Sequence, residues 1–364
     1  MKRRLHIYGL LALFLLSVTP FTVSADNGTS PGEELNVKEF ILAHLADAYE
    51  WHIVSTGNRH LTIPLPVILY SKTSGLHLFM SSRFHGGKRA YNGFHIASEG
   101  TYKGKIVESG DTGNESRPLD LSLTKNALSL LFSSLLVILV VMAVARSLSR
   151  NPLKPGKGFI GMMEMFILSV NEDVIKPSLG KDYKRYAPYL LTVFFFIFTN
   201  NLLGLLPLFP GGANVTGNIA VTMVLAVATF LIVNLTGTKA YYKDILWPDV
   251  PTWLKVPIPI MPVIEIVGTV TKPFALMIRL FANMMAGHSI VLGLTMLIFV
   301  TVSMGTAVNA SMTLLSVLFT VFIDFVELLI AYIQAYVFTL LSAVFIGQAR
   351  VVSHAGKKAD TIKN

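Results

Sequence analysis

A few ionisable side chains interrupt the longest apolar stretches of this 364-residue chain. Arg279 and His288 lie in one apolar stretch, and Glu327 lies in the next. Moving a charged side chain to the middle of a bilayer costs between about 2.5 and more than 10 kcal/mol, depending on the reference state. Such residues are kept mainly where they bind or move ions. These three positions are therefore the first candidates for chemistry.

The three side chains suit different tasks. His288 opposite Glu327 would form a proton relay, because an imidazole gains and loses its proton near neutral pH. Arg279 cannot relay protons, since its guanidinium group stays charged under all conditions. It can hold a carboxylate in the ionised form, or act as a positive barrier to proton leakage.

Residue spacing on the first stretch places several polar side chains on one helix face. Glu265, Lys272 and Arg279 are seven residues apart, and each such step drifts only about 20° around a helix. Asn283 lies one turn beyond Arg279 on the same side. His288 is about 13.5 Å further along the axis than Arg279 and on roughly the opposite face.

On the second stretch, Glu327 and Gln334 are also seven residues apart and share a face, with Asp324 one turn earlier. Simpler roles are open for five of the polar residues. Arg279 is also suited to reaching the membrane surface from a helix end, and Glu327 to a hydrogen bond between helices. Gln334 is also suited to a plain hydrogen bond between helices. Lys272 is also suited to reaching the membrane surface, and Glu265 to water at a helix end.

The overall composition places these residues in a membrane protein. Only 14% of the residues are charged and 52% are hydrophobic. The net charge of +9 is carried mainly by the signal and by residues 123–364, whereas residues 26–122 have a small acidic excess. This distribution fits a cytoplasmic loop bias and excludes nucleic acid as a partner. We expect no thiolate chemistry, because the chain has no cysteine.

Charge-free stretches define the spans. Residues 126–145 form one span, and residues 187–238 form two spans joined by a Pro/Gly turn at 207–212. The last stretch divides near 305–310 into two further spans. Residues 262–300 would extend about 58 Å as a helix, so this span must tilt or bend.

These spans predict an all-α polytopic membrane protein with about five transmembrane helices, of which the last two are long and tilted. Residues 158–175 are predicted to form an interfacial helix rather than a sixth crossing. A small exported N-terminal segment with some β-structure completes the fold.

Loop charges and the N-terminus give the predicted topology. Residues 1–25 have the layout of a signal peptide, so residues 26–122 are expected outside. Basic residues at 146, 150, 154 and 157 place the next loop in the cytoplasm. The predicted divisions are the signal 1–25, the exported segment 26–122, the ion-translocating domain 123–350 and the cytoplasmic tail 351–364.

The exported segment shows no sign of a catalytic or metal site. We predict a helix over 35–51 and strands over 60–71 and 76–81. Its histidines, at 44, 52, 60, 77, 85 and 95, contain no pair four residues apart, which favours surface histidines over a metal site. The whole chain lacks a nucleotide fingerprint, a zinc-helix motif and a nucleophile elbow, so we expect no cofactor.

Residues 272–288 read KPFALMIRLFANMMAGH. This run resembles the signature of the a subunit of F-type ATP synthases, the membrane stator that faces the rotating c-ring. Glu265, fourteen residues before Arg279, belongs to the same pattern. The blocks 334–338 (QAYVF) and 214–218 (NVTGN) are similar to the family's final helix and to its turn between middle spans. The resemblance covers about 124–350, and the predicted helix over 38–53 is similar to the family's outer N-terminal helix.

The resemblance implies a proton channel of two offset half-channels, built with the c-ring. Protons would pass from outside to a ring carboxylate and leave near Glu265, with Lys272 in support. Arg279 would deprotonate the incoming carboxylate. The inlet residues implied are Asn283, His288, Glu327 and Gln334. The implied partners are the c-ring, peripheral-stalk subunit b, the rest of the synthase and membrane lipid, in a bacterial inner membrane, and the chain itself would not be catalytic.

Two departures from the family pattern are informative. Many bacterial members carry Glu at the position of His288 and His at that of Glu327, so the pair is exchanged here, which supports their working together. Residues 55–120 have no counterpart in the compact family core. The chief alternative is a secondary transporter with a mid-membrane ion site, but the spans show no internal repeat.

Overall fold

The architecture comes from a computed structural model of the chain. The residues that it describes are 41, 46–56, 59–87, 89–98, 100–109, 115–150, 156–206, 212–247 and 260–350. The predicted signal peptide and C-terminal tail lie outside these residues, and so do residues 207–211 of the turn predicted at 207–212.

The chain divides into two compact units. The first comprises Met1–Phe132, Leu203–Val215 and Gly287–Val326. The second comprises Ser133–Leu202, Thr216–Ala286 and Glu327–Asn364.

Short antiparallel strands build the N-terminal part of the first unit. They form three small sheets with the orders β1-β2, β4-β3-β8 and β5-β6-β7. The strands are β1 (Glu50–Thr56), β2 (Arg59–Pro64), β3 (Pro66–Ser71), β4 (Gly75–Met80), β5 (Phe94–Ile96), β6 (Ile106–Ser109), β7 (Glu115–Ser116) and β8 (Leu119–Asp120). Their core contains Val67, Leu69, Phe84, Phe94 and Ile106, all fully buried.

The structure corrects two sequence predictions in this region. The helix predicted over 35–51 is wrong at its end, because residues 46–49 are not helical and Glu50 begins β1. Aromatic and β-branched residues at 49–54 favour a strand there. The strand predicted over 60–71 is two strands, which separate at the buried Leu65 between two prolines that cannot donate ladder hydrogen bonds.

Hydrogen bonds tie the first long helix, α1 (Lys125–Arg150), to the β-region. The amide of Lys125 donates to the Ala48 carbonyl at 2.9 Å, and the amide of Asn126 donates to Asp47 Oδ1 at 3.1 Å. The amide of Ala127 donates to Thr124 Oγ1 at 3.3 Å. These bonds satisfy amides that the first helical turn leaves without partners, so the junction has a defined geometry.

Within the described residues, five helical runs are long and apolar enough to cross a membrane, as the sequence predicted. The first is α1. The second, Phe159–Leu205, contains α2 (Phe159–Ser169), a π-helical turn (Val170–Ile175), α3 (Lys176–Leu179), a 3₁₀ turn (Gly180–Asp182) and α4 (Tyr183–Leu205). The others contain α5 (Ile219–Thr236), α7 (Ile260–Val300) and α8 (Thr306–Arg350). The short α6 (Lys239–Leu246) follows α5.

The predicted division near 305–310 is confirmed. A 3₁₀ turn (Thr301–Met304) ends the α7 run, and Gly305 has a φ of 101°, which favours glycine. Asn309 Nδ2 donates to the Ile298 carbonyl at 2.9 Å and joins the two sides of the break. The segment predicted as an interfacial helix is helical, and its position in the membrane stays a prediction.

The second unit has one apolar core. Leu190, Phe194 and Ile197 of α4 pack with residues of α7 and α8 in it, and all three are fully buried. Gly347 of α8 lies so close to α3 that a Cβ atom would come 2.2 Å from the Ser178 carbonyl oxygen. This core fixes the relative positions of α7 and α8 where they carry the candidate site.

Candidate functional site

Three of the sequence-predicted residues are joined by hydrogen bonds in the second unit. Asn283 Nδ2 donates to Gln334 Oε1 at 3.1 Å. Gln334 Nε2 donates to the main-chain carbonyl oxygen of Arg279 at 2.6 Å. Gln334 is only 4% exposed, and a buried amide is costly unless it is hydrogen-bonded. These hydrogen bonds hold α8 against α7 through the main chain of Arg279. The guanidinium group of Arg279 takes no part in them.

The Arg279 side chain is exposed on α7. Ala275, Ala282 and Ala286 are also exposed, and their spacing of four, three and seven residues from Arg279 puts them on its helix face. Within the described part of the chain, no carboxylate forms an ion pair with Arg279. Small residues around an arginine let another helix approach closely. The face therefore presents a positive charge on a surface suited to helix packing.

Lys272 contacts the last helix. Its Nζ lies 5.5 Å from the centroid of the Phe345 ring, a cation–π geometry. Lys272 also lines a small cavity, together with the polar side chains of Thr229, Tyr241, Thr269 and Gln348. Burial raises the pKa of the Tyr241 phenol, and a hydrogen bond with Thr269 opposes the shift. This cavity gathers polar groups from four helices, and for that reason local sequence patterns did not reveal it.

Glu265 lies two turns of α7 before Lys272 and is partly buried. Its main-chain carbonyl accepts a hydrogen bond from Thr269 Oγ1 at 2.9 Å. Its charge also acts on Tyr241, which lines the Lys272 cavity. Glu265 and Lys272 are thus connected to one polar region of the second unit.

A second set of buried polar residues escaped the sequence analysis. Thr216 Oγ1 donates to Asn201 Oδ1 at 2.7 Å, and Asn201 Nδ2 donates to the Ala331 carbonyl at 3.4 Å. Both side chains are fully buried. Thr216 belongs to the NVTGN block, but Asn201 was not predicted as a site residue. Two adjacent asparagines at 200 and 201 within an apolar helix were the available signal.

The proposed imidazole–carboxylate couple is divided between the units. His288 is partly buried in the first unit, where Lys125 interacts with it electrostatically. Glu327 is 8% exposed and belongs to the second unit. Their pairing stays a prediction. Among the described residues, no group of three histidine or acidic side chains is placed to hold a metal ion.

Comparison with known proteins decides the family. Residues 127–347, more than half of the chain, match the family described as ATP synthase A chain. The chain belongs to the ATP synthase A chain family.

Curated relatives agree with this membership of the ATP synthase A chain family. ATP synthase subunit a 2 of Chlorobaculum tepidum is 41% identical over 63% of this chain and 64% of its own length. ATP synthase subunit a of Chlorobium phaeobacteroides is 40% identical over 63% of this chain and 66% of its own length. ATP synthase subunit a of Myxococcus xanthus is 39% identical over 65% of this chain and 75% of its own length. The chain thus spans slightly less than two thirds of the length of the first two relatives.

The N-terminal segment has a separate relationship. Residues 40–121 match a family described as Domain of unknown function (DUF8433). The ATP synthase A chain match begins only at 127. The expected resemblance of 38–53 to the family's outer helix is therefore wrong at its end, where residues 50–53 lie in β1.

Membership of the ATP synthase A chain family and the five apolar helices together support a multi-pass inner-membrane protein. The predicted polytopic fold with an N-terminal β-segment is confirmed. The orientation of the termini stays a prediction.

Proposed function

We propose that this chain is the proton-channel subunit of the Fo sector of an F-type ATP synthase. With the c-ring it forms two offset half-channels that couple proton flow to ring rotation and ATP synthesis. The chain is a non-catalytic stator, and its partners are the c-ring, peripheral-stalk subunit b and the rest of the synthase. Family membership supports this role.

The observation that carries the proposal is the environment of Arg279. Its side chain is exposed on α7 among small residues, while its backbone is hydrogen-bonded to Gln334. An exposed guanidinium group on an apolar helix needs a negative partner, because charge is expensive in lipid. A carboxylate on an approaching ring helix is such a partner. Arg279 then favours the ionised carboxylate, so the ring releases its proton only next to the stator.

The inlet half-channel comprises Asn283, His288, Glu327 and Gln334. The hydrogen bonds of Gln334 with Asn283 and with the Arg279 carbonyl support a polar path that ends beside Arg279. In this path His288 and Glu327 exchange a proton, since one is an imidazole and the other a carboxylate.

The outlet half-channel passes Glu265 and Lys272. The cavity beside Lys272, with its hydroxyl and amide groups, supports a polar route on this side. Lys272 has a supporting role, and its contact with Phe345 holds the side chain at the edge of that cavity.

The test is ATP-driven acidification of inverted membrane vesicles carrying Arg279→Ala. The expected result is loss of pumping at normal membrane levels of the protein, checked by immunoblot. Arg185→Ala is the matched control, because Arg185 lies outside the apolar stretch, with its guanidinium carbon 5.7 Å from the Tyr186 ring centroid. Normal pumping by Arg279→Ala overturns the mechanism. Failure of the wild-type chain to copurify with a c-ring would favour the secondary transporter instead.

The proposed topology places the N-terminal segment outside and the C-terminus in the cytoplasm. The chain has no cysteine, so Ser98→Cys introduces a single reactive thiol at an exposed position. A membrane-impermeant maleimide added to spheroplasts should label this variant. Labelling only after lysis would reverse the orientation.

A further inference from the structure

The sheet β4-β3-β8 in the first unit has an outer face made entirely of apolar side chains. In β4 the exposed residues alternate with partly buried ones, which is the pattern of a strand with one face outward. Pairing places Leu78 opposite Ile68, and Tyr70 between Leu76 and Leu119. The exposed members are Tyr70 (51%), Leu76 (69%), Leu78 (71%), Met80 (45%), Leu119 (58%) and Leu121 (62%). We call these six residues the apolar sheet face.

The opposite face of the same sheet already supplies the core of the β-region. Val67 and Leu69 of β3 are fully buried, and Phe79 of β4 packs on Phe84 with ring centroids 5.3 Å apart. The apolar sheet face is therefore additional to the core. Soluble proteins rarely expose contiguous apolar patches larger than a few hundred Å², and larger ones mark surfaces that bind proteins or membranes.

The sheet is fixed to the start of a membrane-spanning helix. The ladder continues beyond β8, because the amide of Leu121 donates to the Ile68 carbonyl at 2.9 Å and that of Leu123 donates to Pro66 at 3.1 Å. Helix α1 begins two residues later, at Lys125, and its first amides are held by Ala48 and Asp47. The chain thus passes from the sheet into α1 through a short, hydrogen-bonded connection.

Two exposed basic residues, of a type that prefers the membrane–water boundary, lie at one end of the apolar sheet face. Lys72, in the turn after β3, and Arg117, two residues before β8, lie at one end of the sheet because Tyr70 pairs with Leu119. The neighbouring acids lie on the opposite face: Glu108 accepts a hydrogen bond from the buried Ser71, and Asp120 of β8, which pairs with the buried Leu69, accepts one from Tyr49. Tyrosine and basic residues are enriched at membrane interfaces, where basic side chains attract anionic headgroups.

We propose that the apolar sheet face lies on the bilayer, in the leaflet at the N-terminal end of α1. Leu76, Leu78, Leu119 and Leu121 enter the boundary between headgroups and acyl chains, and the exposed Lys72 and Arg117 contact headgroups. The β-region then acts as a membrane-bound platform that orients the first span. This proposal does not depend on the channel function.

The test uses the full chain reconstituted in vesicles of phosphatidylethanolamine and phosphatidylglycerol. Single cysteines carrying a nitroxide spin label are placed at Leu78 and Leu119, in a chain that has no native cysteine. Ser98→Cys and Thr101→Cys are matched controls, since both residues are exposed between β5 and β6, which belong to another sheet. Collision with lipid-soluble oxygen is compared with collision with a water-soluble nickel chelate.

Labels at Leu78 and Leu119 should collide more often with oxygen than with the nickel chelate, by at least about threefold relative to the controls. Equal access of the nickel chelate to all four positions would overturn the proposal, because it would show that the apolar sheet face lies in water. Protection from both reagents, with an immobilised spectrum, would overturn it in favour of a protein partner. Folding is checked by size-exclusion elution of each labelled variant.

Discussion

Gln334 of α8 donates a hydrogen bond to the main-chain carbonyl oxygen of Arg279 on α7, at 2.6 Å. The bond connects residues that are 55 positions apart and leaves the guanidinium group available. The same amide accepts a bond from Asn283, so one buried side chain joins two polar positions of α7. Rotation of α7 about its axis is thereby restricted at the residue on which the proposed mechanism depends.

Replacing Gln334 by leucine should slow proton pumping without abolishing it. The change keeps the volume but removes both hydrogen bonds, and loss of ~1 kcal/mol of positioning energy corresponds to a rate reduction of about fivefold. Initial rates of ATP-driven acidification measure the effect.

The control for Gln334→Leu is Asn234→Ala. Asn234 Nδ2 bonds only the Phe230 carbonyl of its own helix, at 2.8 Å, so its removal should leave pumping unchanged. Asn283→Ala combined with Gln334→Leu should cost less than the sum of the single changes, because both residues share one bond. Fully additive losses of pumping rate would show that Asn283 and Gln334 act independently.

Exchanging the imidazole and the carboxylate tests the proposed couple. His288→Glu and Glu327→His should each reduce pumping strongly, whereas the double exchange should regain part of the activity because it again contains one of each group. Pumping rates are normalised to membrane levels of each variant. Wild-type rates in both single variants would contradict the relay.

A methyl group at Gly347 should destabilise the second unit. A Cβ atom there would lie 2.2 Å from the Ser178 carbonyl oxygen, so backbone must shift, at a cost of about 1–3 kcal/mol. The midpoint of thermal unfolding in detergent should fall for Gly347→Ala.

Gly293→Ala is the matched control for Gly347→Ala. Gly293 also lies in a long apolar helix, but no neighbouring atom lies within 4 Å of the place that the added methyl group would take. The midpoint of this variant should stay unchanged or rise slightly, since alanine favours helix more than glycine does. Equal midpoints for the two variants would show that the close approach at Ser178 is easily relieved.

The turn between β3 and β4 should loosen in acid. Ser71 and Thr73 donate to the Glu108 carboxylate at 2.6 and 2.7 Å, and these bonds lower the pKa of Glu108 below its ordinary value of 4.5. A lowered pKa stabilises the fold above the ordinary value, and this contribution is lost as pH falls through the folded-state pKa.

Hydrogen–deuterium exchange of peptides covering 66–80, corrected for intrinsic rates, measures this loosening. Protection should decrease on going from neutral pH to acid. Glu108→Gln, which has no ionisable group, should lose most of this pH dependence. An unchanged profile in that variant would assign the effect to another group.

Local properties explain what was predictable from the residues. The five apolar runs, the break near Gly305 and the rare charges at Arg279, His288 and Glu327 were readable because each depends on hydropathy within one segment. The helix expected over 35–51 was wrong at its end. The order of polar and apolar residues there fits the period of a strand as well as that of a helix, and pairing with β2 selects the strand.

The sequence by itself determined that this is a polytopic membrane protein and which few charges lie within its spans, since hydropathy and charge are read directly from the residue types along each segment. Only the tertiary structure decided that Gln334 bonds the backbone of Arg279, that Lys272 contacts Phe345, and that three strands form one apolar face. Those contacts join distant parts of the chain. Their partners are selected by packing geometry, which no local periodicity encodes.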